Sequence, residues 1–118
     1  MNTEQYTILA LRTAAARSQR NKLLEAAMGI GGEGGEIVDI IKKHAFYGKE
    51  LDRQHIKEEL SDICWYINLL LSVVGSSWYE VFDTNIAKLE ARYPDLRFNA
   101  DHAINRDSNK EQAAMGAK

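Results

Sequence analysis

The sequence predicts an all-α domain, a four-helix, bundle-like unit that assembles as a homo-oligomer. Three observations carry this. Pro94 is the only proline, so nothing before it breaks a helix. Valine and isoleucine nowhere alternate with polar residues at strand period; apolar residues recur three and four apart instead. The 118 residues make about one domain, whose lone core would be modest, so the excess apolar surface of the third helix asks for a partner.

Thr3 is a fitting N-cap for a first helix over 4–17, with Tyr6, Leu9 and Thr13 on one stripe. A second helix runs from Ser18 or Arg20 to Ala45 and carries Leu23, Leu24, Ala27, Ile30, Ile37, Ile40 and Ile41. Gly29, Gly31, Gly32, Gly34 and Gly35 strain it. Each costs about 1 kcal/mol relative to alanine in a helix interior. The helix therefore starts later, breaks here, or is held by packing against bare backbone. No Gly-Lys-Ser/Thr follows, so this is not a phosphate-binding P-loop. A third helix spans 53–74, with Asp52 as N-cap, Gly75 as stop and Ile56, Leu60, Ile63, Ile67, Leu70 and Val74 as its stripe. The short loop Phe46–Leu51 makes helices two and three antiparallel neighbours. A fourth helix spans 77–93: Ser77 and Glu80 spell a capping box, and Pro94 ends it. These elements make one domain over residues 1–98. The tail, 99–118, is polar and without a stripe, and its stretch SNKEQAAMGAK is expected to be mobile.

Composition excludes several classes. Lysine and arginine total 15 against 17 acids, a net charge of −2, which argues against a nucleic-acid binder. Apolar residues at 45% and charged residues at 27% are the balance of an ordinary globular protein. Cys64 is the only cysteine, so neither an intrachain disulfide nor a cysteine zinc cluster can form. The N-terminal MNTEQYTILALRT lacks the features of a signal peptide, and no apolar run approaches bilayer-spanning length. The expectation is a cytoplasmic protein without a membrane partner.

The informative residues are acids on apolar faces. On an ideal helix with Glu33 at zero, Glu36 lies at about −60°, Ile37 at about +40° and Ile40 at about −20°. With Glu59 at zero, Asp62 lies at about −60°, Ile63 at about +40° and Tyr66 at about −20°. Each of two adjacent helices thus places an acid pair, three apart, at the edge of its stripe. Uncompensated carboxylates there are costly and repel one another. A divalent cation resolves the conflict, and oxygen-only ligands favour magnesium, with manganese possible. Glu36 and Asp62 stand where a di-iron Glu-x-x-His motif would need histidine. Helix four has the opposite character: Asn85, Lys88 and Arg92 lie beside its stripe, and lysine and arginine both suit phosphate. A carboxylate-held metal next to basic side chains is a layout for phosphoryl chemistry.

The segments GEGGEIVDIIKKH, KEELSDICWYINLL and NIAKLEARYP together resemble the MazG-like nucleotide pyrophosphohydrolases of the all-α NTP pyrophosphatase superfamily, most of all the short single-domain forms of bacteriophage genomes. The resemblance covers roughly Leu23 to Arg106. It implies Mg2+-dependent hydrolysis of (deoxy)nucleoside triphosphates to monophosphate and pyrophosphate, with metal-activated water attacking the α-phosphate. It implies metal on Glu33, Glu36, Glu59 and Asp62, with Glu36 or Glu33 as base. It implies phosphates held by Asn85, Lys88 and Arg92, helped by Lys42 or Lys43, and by Arg106 in AINRD. A homodimer or homotetramer with sites near subunit interfaces is implied as well, in the host cytoplasm for a phage-encoded chain. Alarmone or phosphoribosyl nucleotides are alternative substrates. From another class, the alternative is a non-catalytic nucleotide or metal sensor.

Other polar and aromatic residues read more plainly. His44 suits an interface or the helix C-terminus, His55 and His102 solvent, and Cys64 packing as a small hydrophobe. Trp65 and Tyr66 suit core or interface packing or a nucleobase, Tyr47 is a weaker base contact, and Trp78 is a core residue.

Overall fold

The computed structural model describes residues 1–116. Among these the chain forms six helices and no strand: α1 (Thr3–Leu11), α2 (Gln19–Tyr47), α3 (Arg53–Val74), α4 (Trp78–Arg92), α5 (Ala100–Ile104) and α6 (Ser108–Ala114). They fall into two compact units, Met1–Gly75 and the chain from Ser76 onward. No single helix among the described residues is long and apolar enough to cross a membrane.

In the first unit α2 and α3 pack along their lengths. Gly29, early in α2, meets Tyr66, late in α3, while Glu33 meets Glu59 further back, so the two run antiparallel. Ser18 caps α2, accepting from the Asn21 amide, and Gly48 ends it at φ 69°. Asp52 caps α3 and Gly75 ends it at φ 70°. The buried apolar residues are few: Ala26, Ile40, Leu69 and Leu71, with Ala10 from α1. Buried Asn68 donates to the Thr7 carbonyl at 3.4 Å and ties α1 to α3.

Two expectations change here. The first helix ends at Leu11, six residues short of Arg17, and Asn2 rather than Thr3 caps it. Thr13 explains the early end: its hydroxyl donates to the Ala10 carbonyl at 2.6 Å, in competition with the helix ladder. That hydroxyl also accepts from Trp65 Nε1 at 2.8 Å, so the turn is bolted to α3. The second change concerns the glycines. α2 runs through all five without a break. A Cβ at Gly29 would fall onto Cγ, Cδ1 and Cε1 of the Tyr66 ring, whereas Gly31, Gly32, Gly34 and Gly35 face open space. One glycine is needed for close approach and four are not.

The second unit holds α4, α5 and α6. Ser77 caps α4 by accepting from the Glu80 amide, while the Glu80 carboxylate accepts from the Ser76 hydroxyl at 2.7 Å. Trp78 stacks obliquely on Phe82, and Tyr93 on Phe98. Among the described residues there are thus six helices rather than four, because the segment read as a polar tail forms α5 and α6, and α6 packs on α4. Its anchor is buried Glu111, which no apolar periodicity reports. Ala117 and Lys118, the end of that tail, lie outside the described residues.

Alanine at Gly29 should lower stability by about 1–3 kcal/mol, because the tyrosine ring must give way. Alanine at Gly31 should raise it by up to about 1 kcal/mol through helix propensity. Denaturant midpoints of the two variants check this; shifts of the same sign would show that the ring does not occupy the notch.

Candidate metal centre

Antiparallel packing of α2 on α3 turns two acid pairs into one cluster. Carboxylate oxygens of Glu33, Glu59 and Asp62 lie within 4.8 Å of one another. Glu36, a turn beyond Glu33, shares a hydrogen bond with Glu59. Glu59 is the buried member, Glu33 is half-buried, and Asp62 and Glu36 are exposed. Its Oε1 accepts from His55 Nε2 at 3.0 Å. As ionised groups, Glu33 and Glu59 each keep a buried Oε2 with no hydrogen-bond partner. Two buried, unpartnered carboxylate oxygens in one acid cluster call for a shared proton or a cation.

The acidities follow from this crowding. The Glu33 carboxyl is pushed up to about 7, first by the hydrogen bond it shares with Glu59, then by burial and by repulsion from Glu36, Glu59 and Asp62. Glu36 is also raised, first through its hydrogen bond to Glu59 and then by that residue's charge. Glu59 is lowered, first by the hydrogen bond from Glu33, with Glu36 and His55 adding to it. Without a cation, the Glu33–Glu59 pair therefore holds a proton more tightly than a free carboxyl does. The all-oxygen donor set, with two buried oxygens unpartnered, fits a hard divalent cation.

Two hollows adjoin the cluster. One, of about 380 Å³, is lined by Glu25, Glu33, Asp62, Trp65 and Tyr66. Trp65 and Tyr66 meet edge to face there, with ring centres 5.2 Å apart. The other, of about 550 Å³, is lined by Gly32, Gly35, Glu36, Asp39, Ile40 and His55. Both are in the size range of small-molecule sites.

Two further residues adjoin the cluster without any motif in the sequence to mark them. Glu25 lies two turns before Glu33 on the same face of α2, with Gly29 between them; it pairs with Arg17 Nε at 3.4 Å. His55 lies one turn before Glu59, and that i,i+4 spacing was the available signal. Cys64, expected to pack, is exposed. His44 ends α2 with its Nδ1 at 2.8 Å from the Lys49 carbonyl.

The basic residues are placed otherwise. Lys42 and Lys43 lie along α2, both paired with Asp39, at 4.0 and 2.7 Å. Lys42 also lies over the Tyr47 ring. Asn85, Lys88, Arg92 and Arg106 belong to the second unit. Asn85 is exposed and Lys88 half-buried. Arg92 and Arg106 both bond Glu111.

A family model, the MazG nucleotide pyrophosphohydrolase domain, matches residues 21–97. Comparison with curated proteins and with solved structures gave no match. The matched segment contains α3, α4 and all of α2 but its first two residues, and with them every acid of the cluster.

The cluster makes metal-free stability depend on pH. Glu33 and Glu36 hold their protons more tightly folded than unfolded, so their stabilising effect is present at low pH and is lost as pH rises through their folded pKa values. Glu59, shifted down, acts only on the acid side. In chelator the melting temperature should fall between about pH 5 and pH 8, and millimolar Mg2+ should flatten or reverse the fall. A metal-free melting temperature that rises across this window would contradict the assignment.

Proposed function

Because the chain belongs to the MazG nucleotide pyrophosphohydrolase family, we propose that it hydrolyses nucleoside triphosphates, deoxy forms included, to monophosphate and pyrophosphate with magnesium as cofactor. One observation carries the proposal: three carboxylates converge within 4.8 Å and leave buried oxygens of Glu33 and Glu59 unpartnered. An acid-lined cleft repels a triphosphate, so these groups serve catalysis only with a cation between them and the substrate.

In this assignment Glu33, Glu59 and Asp62 hold the cation, with Glu36 completing the set. When bound, the cation supplies charge neutralisation on the phosphate oxygens and acidifies water. His55 fixes the orientation of Glu59 through the 3.0 Å hydrogen bond. Glu36, or Glu33, accepts the proton of the attacking water. Water attacks the α-phosphorus, the bond from that phosphorus to the bridging oxygen breaks, and pyrophosphate leaves with its electron pair. Asn85, Lys88, Arg92 and Arg106 hold the phosphates, with Lys42 and Lys43 contributing on release from Asp39. Trp65 and Tyr66, beside the acids in the smaller hollow, offer ring faces and edges to the nucleobase. The exposed apolar run Val38, Ile41 and Phe46 on α2 supports a homo-oligomer, since a lone domain of this size seldom leaves such side chains in water.

Purified protein with Mg2+ should release pyrophosphate and monophosphate in equal amounts from at least one member of a nucleoside triphosphate panel. Glu59→Gln should cut turnover by about a hundredfold or more while the helices remain. Diphosphate with orthophosphate would mean that another bond is cut. Magnesium-dependent nucleotide binding without turnover, on alarmone and phosphoribosyl substrates as well, would favour the sensor.

A further inference from the structure

Glu111 of α6 is almost completely enclosed, with 3% of its side chain exposed, yet it is an acid in a polar segment. Two arginines enclose it. Its Oε1 accepts from Arg92 Nε at 3.1 Å and Arg92 Nη2 at 2.8 Å. Arg106 approaches from the turn between α5 and α6, donating from Nε to Oε2 at 3.0 Å and from Nη2 to Oε1 at 3.1 Å. Each guanidinium grips the acid by the same Nε–Nη2 edge, and Nη1 takes no part in these four bonds. The Arg92 guanidinium is further restrained over the Tyr93 ring, 5.8 Å from its centre.

The charges do not cancel. One carboxylate balances one of the two guanidiniums, so the triad carries a net +1. Lys110 adds another positive charge at the same hollow, a space of about 230 Å³ also lined by Pro94, His102 and Asn105. Asp107 lines it too, with its Oδ1 accepting from the Lys110 amide as the cap of α6, and its charge offsets that of Lys110, so the hollow keeps the net +1 of the triad. Glu111 could anchor α6 to α4 through one arginine alone, so the second is surplus to that task. Two rigid guanidiniums side by side over a hollow are instead the arrangement that receives a multiply charged oxyanion.

We infer that Glu111 is a positioning residue, holding Arg92 and Arg106 together as a two-guanidinium receptor for a polyphosphate. The ligand class rests on the function proposed above; the geometry of the triad does not. Glu111 and Arg106 lie beyond residues 21–97, so this support is an addition to the matched domain. Glu111 stays ionised, since Arg106 first and then Arg92 hold its carboxyl below the usual range against the effect of burial.

Inorganic pyrophosphate, titrated calorimetrically into the full chain in chelator at low salt, tests the receptor without turnover. Wild type should bind it. Glu111→Asp keeps the charge but withdraws it by one methylene, and should weaken binding about tenfold or more while the far-ultraviolet helix signal is unchanged. Glu111→Gln should weaken it as well. A folded Glu111→Asp protein with unchanged affinity would reduce the triad to a structural bolt. Tighter binding by Glu111→Gln would mean that Glu111 competes for the arginines, and would also overturn the inference, as would a wild type that ignores pyrophosphate. If neither Glu111 variant folds, Arg106→Gln decides: about tenfold weaker binding sustains the receptor and unchanged binding removes it. Where turnover exists, Glu111→Asp should raise KM and leave kcat within about twofold. Pyrophosphate binding without triphosphate hydrolysis would sink the proposed function and leave the receptor standing; hydrolysis with none of these losses would do the reverse.

Discussion

Like charges held close together dominate the first unit. Packing α2 against α3 in antiparallel register sets Glu33, Glu59 and Asp62 within 4.8 Å of one another and puts Glu36 in hydrogen-bonding reach of Glu59. Repulsion among such groups opposes the packing that creates them. The chain offsets it with what lies nearby: a proton held tightly by the Glu33–Glu59 pair, the His55 ring on Glu59, and burial of Ala26, Ile40, Leu69 and Leu71. A cation would satisfy the same oxygens more fully. A cation bound there would link folding to its binding through one cluster, because the helices are held in a geometry that is costly without a counter-charge.

The second unit solves an opposite problem with the same chemistry. There a lone acid is surrounded by cations, and Glu111 gathers Arg92 and Arg106 where apolar packing is sparse. No residue of α4, α5 or α6 apart from Glu111 is fully buried among those described. Electrostatic complementarity does for α6 what an apolar stripe does for α3.

The helices of the acid cluster were legible because periodicity and stop signals agreed. Asp52 and Gly75 bracket α3 where expected, and the three-residue spacing of each acid pair was enough to place it at the stripe's edge. Register between the two helices was not legible, because periodicity gives each helix its face but no axial position. Gly29 and Tyr66 supply that position, and their contact depends on a three-dimensional fit between an absent side chain and a ring. His55, read as exposed and found so, and Glu25 gave no sign of adjoining the cluster for a related reason: a polar residue one or two turns from a clustered acid resembles any surface residue. The early end of α1 depends on a hydroxyl of Thr13 shared between Ala10 and Trp65, a contact with a residue 52 positions away. The tail misled because its order comes from ion pairs, which leave no periodic trace.

The glycine notch makes the sliding of α2 along α3 stepwise. A slip of one turn, about 5.4 Å, would bring Glu25 or Glu33 beneath the Tyr66 ring in place of Gly29, and neither leaves room for it. A slip of three residues would bring Gly32 under the ring, but it would rotate the helix by about 60° and carry Glu33 away from Glu59. Tyr66 therefore works as a detent: the register that seats the ring is the register that assembles the carboxylates.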